Sequence, residues 1–163
     1  MKKESAHPIA LDATDHRLLD LLQQDASRSN QDLAAAAHIS AATCLRRVRR
    51  LVEAGAIERR IALLSSERLG AGLTAIAEVT LDREGAEHLA AFESRAVKEP
   101  AVQQCYRVSP GPDFVLVLHV HDMSAWHALT ERLFTQDANV RNVKSYFSVH
   151  RAKFDPRIAL RSP

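Results

Sequence analysis

Residues 30–61 read NQDLAAAAHISAATCLRRVRRLVEAGAIERRI, and within them Arg46, Arg47, Arg49 and Arg50 occupy four of five successive positions. A guanidinium carries a permanent positive charge and a planar fork of donors, the chemistry that binds phosphate oxygens and the edge of guanine. Helical residues advance by about 100° each, so Cys44, Val48, Leu51 and Val52 share one face while Ala42, Arg46, Arg49, Arg50 and Glu53 share the other. One face packs and the other is free to meet an anion. Arg47 lies at the boundary, where it either braces the fold or reaches a phosphate from the side.

By itself such a stretch also fits an ordinary amphipathic helix with a solvated basic face. Its surroundings favour double-stranded DNA. A short helix precedes it across a tight turn, Ser40 is placed to cap it, and Ala41, Ala42 and Thr43 keep its leading end slim enough to approach base edges. The expected DNA-binding set is therefore Ser40, Ala42, Thr43, Arg46, Arg47, Arg49, Arg50, Arg59 and Arg60. Ala42, Thr43, Arg46 and Arg50 are the candidates for base or groove contacts, and Arg47, Arg49, Arg59 and Arg60 for phosphates.

The elements that must position this surface follow from periodicity. Residues 11–26 read as a first helix, with Asp12 or Thr14 as its cap and Leu18, Leu19 and Leu22 at helical spacing. Asn30 is placed to cap a second, short helix through Ala37, and His38, Ile39 and Ser40 make the turn into the arginine helix, which ends near Gly55. Residues 56–63 alternate as a strand would, with Arg59 and Arg60 at its tip. Three helices and such a strand make a winged helix-turn-helix over 11–63, behind a polar tail at 1–10.

Two serines and two glycines in 64–72 mark a linker, after which the pattern changes. Residues 73–81 alternate as a strand, 84–98 are helical, 102–109 and 114–121 are strands, 124–134 are helical and 140–149 are a last strand. The order strand, helix, strand, strand, helix, strand predicts an α+β chain whose second domain, 73–153, is a ferredoxin-like sheet with helices on one face. The strand at 114–121 is apolar on nearly every residue, so the other face of the sheet also carries apolar side chains and needs a partner. A second copy is the simplest one, which predicts a homodimer. Residues 154–163 are left as a C-terminal tail.

At 163 residues and a net charge of +2, bulk electrostatics make no case for nucleic acid, so the clustering of six arginines against Glu53 and Glu58 between Cys44 and Ile61 carries it. The two cysteines form no CxxC pair and read as reduced thiols of a cytoplasmic protein, with Cys44 a small core residue. No apolar run approaches the roughly 20 residues of a membrane helix.

These residues resemble the leucine-responsive regulatory protein and AsnC family of transcription regulators. The resemblance runs from Leu11 to about Lys153. It rests on Leu11-Asp12, Asp15, Leu18, Leu19, Leu22 and Asp25, on Ser29-Asn30, Leu33-Ala34 and Ile39-Ser40, and on the run from Cys44 to Leu51 with Gly55-Ala56-Ile57. It continues with Val102 to Val108, with Asp113-Phe114, with Asp122-Met123-Ser124-Ala125 and with the closing strand. His38 stands where the family usually has glycine, and histidine tolerates the left-handed conformation such a turn requires. Pro110 precedes Gly111 where the family tends to place glycine directly after the position of Ser109. The resemblance implies dimers that associate into tetramers or octamers, each helix-turn-helix reading half of a palindromic site, and an amino acid or related metabolite bound between C-terminal domains. It points to Arg107, Gly111, Asp113 and Met123 as the effector region, with Asp113 either pairing an ammonium group or capping local backbone. No cofactor is implied.

Other chemistries fit less well. His119 and His121 share a strand face with Asp122, His127 or His150 nearby, but a pair two apart on an apolar strand is a thin basis for a metal. GxSxG, HExxH and a phosphate-cradling glycine loop are missing from the sequence. Sirohaem decarboxylases resemble the same two-domain architecture, and their pocket would need basic and histidine side chains for carboxylates; the retained arginines argue for DNA instead. A ligand-binding assembly module that reads no DNA is the third class.

Overall fold

The computed structural model describes residues 9–66, 68–70 and 72–160. The chain forms two compact units: one runs to Leu63 and resumes at Phe154, and the other is Leu64–Lys153.

The first unit holds α1 (Ala13–Gln24), α2 (Asn30–Ala37) and α3 (Ala41–Glu53). Each begins at a residue whose side chain accepts from a free N–H of the first turn. Asp12 and Asp15 form a reciprocal capping box, Asp15 N–H donating to Asp12 Oδ1 at 2.8 Å and Asp12 N–H to Asp15 Oδ2 at 3.1 Å. Ser29 Oγ, rather than the expected Asn30, caps α2 by accepting from Asp32 N–H at 3.1 Å, and Ser40 Oγ accepts from Thr43 N–H at 3.2 Å. Caps of this kind contribute about 1 kcal/mol each. Leu18, Leu33, Ala34, Ala37 and Cys44 are the buried core, where the alanines let α2 lie close to its neighbours. His38 closes α2 at φ 56, ψ 46, the left-handed turn expected of it, and Gly55 follows α3 at φ 75.

Three further expectations change here. Val52, assigned to the packing face of α3, is 47% exposed. The buried direction runs through Cys44 and Leu51, and Val52 stands about 100° beyond Leu51. Residues 56–63 join no sheet among the described residues, so the wing strand is absent from the isolated chain. Past the bond from Ile57 N–H to Leu51 O at 3.2 Å, residues 58–64 have no backbone hydrogen bond to another described residue, because the first unit has no strand among its described residues for them to pair with. Finally, residues 154–160, expected as a separate tail, belong to the helical unit, where the Gln23 side chain binds the backbone of Ile158.

The second unit runs β1 (Leu73–Leu81), α4 (Ala86–Ala96), β2 (Val102–Arg107), β3 (Phe114–Val120), α5 (Met123–Thr130) and β4 (Val140–Phe147), with α5 prolonged by a π turn at Glu131–Thr135. The antiparallel sheet has the order β2-β3-β1-β4, the ferredoxin-like arrangement. Phe114, Leu116, Leu118 and Val120 of β3 are buried and alternate with half-buried Val115, Val117 and His119. The buried set meets Ala75, Ala77, Val79 and Leu81 of β1 and, from the helices, Phe92, Trp126, Leu129, Leu133 and Phe134. Phe92 and Phe114 stack with ring centroids 4.8 Å apart, and Trp126 meets Phe147 edge-on at 5.2 Å. On the opposite face the register sets Val117, Ile76 and Tyr146 side by side, with Val115, Glu78 and Lys144 in the next row. Ile76 and Tyr146 remain exposed, so this face carries the apolar side chains that the composition of β3 requires.

Candidate nucleic-acid interface and effector region

The side of α3 opposite Cys44 and Leu51 is occupied by Ala42, Arg46, Arg49 and Glu53, all exposed. Neither Arg46 nor Arg49 has an ion pair or hydrogen bond to another described residue. Their guanidinium donors are free for an external anion. Ala42 sits between them at the leading end, and Thr43 is held there by its Oγ1, 2.9 Å from Ser40 Oγ.

Arg47 and Arg50 behave differently. Arg47 Nη1 donates to Asp12 Oδ2 at 2.7 Å and to Asp15 Oδ1 at 2.9 Å, while Arg50 Nη2 donates to Asp15 Oδ2. Asp15 is 1% exposed. Burial pushes its carboxyl up, but Arg50, the Asp12 N–H and Arg47 together hold it below the ordinary carboxylate value. Asp12 is lowered to about 2, by the Asp15 backbone N–H first and the Arg47 guanidinium next. Arg47 therefore braces α3 against α1. Arg50, expected at the groove, turns to the same carboxylate. At about 100° per residue it lies roughly 40° from Arg46 toward Arg47, near enough to the α1 side to be captured.

Sequence reasoning missed the partners that orient this surface. Asp12 was legible, with Thr14, as a candidate cap of α1, but neither its pairing with Asp15 nor their anchoring of α3 was. Arg17 Nη1 donates to Ala37 O at 2.9 Å, tying α1 to the end of α2, and Asn30 Nδ2 donates to Ala41 O at 2.9 Å, tying α2 to the first turn of α3. Arg59 and Arg60 are exposed, and they line a cleft of ≈ 750 Å³ with Leu19, Leu22, Ile61 and Ile158.

In the second unit Arg107 ends β2, donating from Nη2 to Glu93 Oε2 at 3.1 Å with its guanidinium 5.7 Å over the Phe114 ring. Gly111 adopts φ 123 in the turn that follows the cis Ser109-Pro110 bond. Asp113 donates its N–H to Val79 O at 2.9 Å and accepts Leu81 N–H on Oδ2 at 2.7 Å, so its carboxylate secures the end of β1. Met123 opens α5 beyond the far end of β3. The six residue steps of that strand span about 20 Å, so one chain does not bring Met123 to the other three. Among the described residues no group of three or more histidine, cysteine, aspartate or glutamate side chains is placed to hold a metal; His119 Nδ1 lies 3.3 Å from Thr74 Oγ1.

Residues 11–52 match the family model of the AsnC-type helix-turn-helix domain and residues 74–158 that of the Lrp/AsnC ligand binding domain. An HTH-type transcriptional regulator of Haemophilus influenzae is 36% identical over 150 residues, 92% of this chain and 89% of that protein. The leucine-responsive regulatory protein of Escherichia coli is 32% identical over 152 residues, 93% of both. The crystal structure of a transcriptional regulator from Neisseria meningitidis in complex with L-methionine superposes with a TM-score of 0.83 at 27% identity, covering 92% of this chain and 97% of that one. With both domains matched in order and a free basic face on the second helix of the motif, the chain belongs to the Lrp/AsnC family of DNA-binding transcription regulators.

Proposed function

We propose that α3 reads double-stranded DNA through Arg46 and Arg49, with Ala42 and Thr43 at the groove and Arg59 and Arg60 on flanking phosphates, and that an amino acid bound by the second unit controls it. The observation that carries the DNA surface is the pair of exposed arginines without a described partner on the outward side of α3, three residues apart and so on neighbouring turns. The amino-acid class of effector is supported by the L-methionine held by the Neisseria relative. The regulator names of the relatives favour control of transcription over catalysis. Work on chromosomal promoters implies a cytoplasmic protein.

The effector region draws on two ends of the sheet. Arg107, Gly111 and Asp113 lie at one end of β3 and Met123 beyond the other, so they converge on one ligand only if neighbouring chains contribute. The apolar row of Val117, Ile76 and Tyr146 supplies a surface for a homodimer, and further association into tetramers or octamers would bring such ends together. A ligand that binds one assembly more tightly then shifts DNA binding by that difference in affinity.

Promoter binding by the Arg46→Ala/Arg49→Ala double variant is the test. Its affinity is expected to fall sharply, and log affinity against log salt to flatten by about 0.9 for each phosphate that is no longer neutralised. Unchanged affinity and slope in a folded double variant would remove α3 as the reading surface. Thermal shift against the common amino acids, with sedimentation of the complex, tests the effector.

A further inference from the structure

We infer that Asp15 is a positioning residue that decides which arginines of α3 reach DNA, withholding Arg47 and Arg50 so that Arg46 and Arg49 alone present the basic face. This deepens the DNA-reading assignment and rests on it.

Asp15 is the only charged or polar residue among the buried side chains of the described chain, and both of its carboxylate oxygens are engaged. Oδ1 accepts Arg47, and Oδ2 accepts Arg50 and the Asp12 N–H. Asp12 adds a second carboxylate on Arg47 at 2.7 Å. Two carboxylates and two guanidiniums make a neutral quartet, so half of the arginine run contributes no net charge toward a phosphate backbone. Turning Arg50 outward would leave a buried carboxylate short of a partner, a penalty larger than one solvent-screened phosphate contact returns. Arg46 and Arg49 lie on the far side of the helix from Asp15 and carry no such restraint.

Withholding two arginines has a functional meaning. Phosphate contacts strengthen binding to every sequence alike, whereas contacts at the groove distinguish one sequence from another. A helix presenting four free arginines would gain nonspecific affinity and lose discrimination. The Asp15 clamp narrows the basic footprint to the two arginines that flank Ala42, where the helix approaches base edges. It also fixes the roll of α3 about its own axis, since both clamped side chains lie on one side of it.

The experiment measures log affinity against log salt for a specific promoter and for random duplex, in full-length Arg46→Ala, Arg50→Ala, Asp15→Asn and Asp15→Asn/Arg50→Ala proteins. Arg50→Ala is expected to keep the parental slope, while Arg46→Ala weakens binding to the specific promoter more than to random duplex. Asp15→Asn, which keeps an oxygen for the capping box and leaves Arg47 on Asp12 but frees Arg50, is expected to steepen the slope on random duplex by about 0.9, and to lower the ratio of specific to nonspecific affinity several-fold. Removing Arg50 in that background should take back one such step. A flattening of about 0.9 on Arg50→Ala alone shows that Arg50 contacts phosphate and overturns the inference, and so does an Asp15→Asn protein, folded by circular dichroism, with parental slope and ratio. If Asp15→Asn fails to fold, the Arg50→Ala slope in the parental background still decides. A parental protein that binds no duplex at all sinks the DNA-reading assignment instead. In that case a double-mutant cycle of Asp15→Asn with Arg50→Ala on thermal stability still shows whether the pair couples.

Discussion

Gln23 holds Ile158 by both edges of its amide: Nε2 donates to the Ile158 carbonyl at 3.1 Å and Oε1 accepts the Ile158 N–H at 2.8 Å. A side chain of α1 thus imitates a strand neighbour for a residue 135 positions later. The chain leaves the helical unit after Leu63 and re-enters it at Phe154, so the two units are joined by two covalent crossings, and Gln23 anchors the second. Gln23→Ala is expected to speed hydrogen exchange of the Ile158 amide while costing the helical unit only about 1 kcal/mol, since both bonds are exposed. Unaltered protection of that amide would show that the 156–160 segment is held by its apolar contacts instead.

Acid should loosen the helical unit through Asp12. Its carboxyl is held at about 2 against an ordinary 3.8 by the Asp15 N–H and then by Arg47. A group whose folded value is depressed contributes its full stabilisation above the unfolded value and loses it as pH falls through the folded one. The melting temperature is therefore expected to decline between about pH 4 and pH 2, and the decline to be shallower in Asp12→Asn, which retains a cap acceptor but cannot titrate. Asp15, lowered in the same direction, adds to the fall in both proteins. Identical acid profiles for parent and Asp12→Asn would rule this pairing out as a source of the pH dependence.

Asp113 has a structural duty whatever its part in effector binding. Its carboxylate accepts the Leu81 N–H at 2.7 Å, and truncation leaves that part-buried donor without its partner. Asp113→Ala is expected to lower the stability of the sheet unit by about 1–3 kcal/mol in the absence of any ligand, read by urea titration. Asn at this position should recover most of the loss, because its amide oxygen still accepts. An unaffected midpoint in Asp113→Ala would mean that the bond to Leu81 carries no weight and that the carboxylate is available to a ligand.

Gly70 and Gly72 both adopt left-handed φ values, of 60 and 74, yet they should respond differently to a methyl group. A Cβ on Gly70 meets open space, whereas one on Gly72 would lie 2.2 Å from the Val120 carbonyl oxygen and 2.9 Å from His119 Nε2. Gly70→Ala is expected to cost about 1 kcal/mol of backbone strain. Gly72→Ala should cost clearly more, since the start of β1 must pull away from β3. Equal unfolding midpoints for the two variants would refute this reading of the β1 entrance.

Much of the architecture is written in short-range pattern. The apolar run 114–120, the leucines of α1 and the cap at Ser40 depend on residues within a turn or two of one another, and so the order of elements could be read directly, while the left-handed turn at His38 followed from the family resemblance. The basic character of α3 was equally plain, because it is a matter of composition and of one helix's angular period. What composition cannot express is which charge finds which. Arg50 lies 35 positions from the carboxylate that claims it, and only the packing of α1 on α3 sets the roll that separates Arg46 and Arg49 from Arg47 and Arg50.

The same distinction explains the wing and the effector region. Residues 56–63 alternate like a strand, but a strand exists only where a neighbouring strand satisfies its N–H and C=O groups, and the described residues of the helical unit include none. Met123 was grouped with Arg107, Gly111 and Asp113 by resemblance, yet the intervening strand carries it about 20 Å away. The sequence by itself determined the elements, their order and the presence of a basic helix, because those follow from local periodicity and capping. The tertiary structure alone decided which arginines face outward and which residues share a site, because ion pairing and convergence depend on distances that only folding sets.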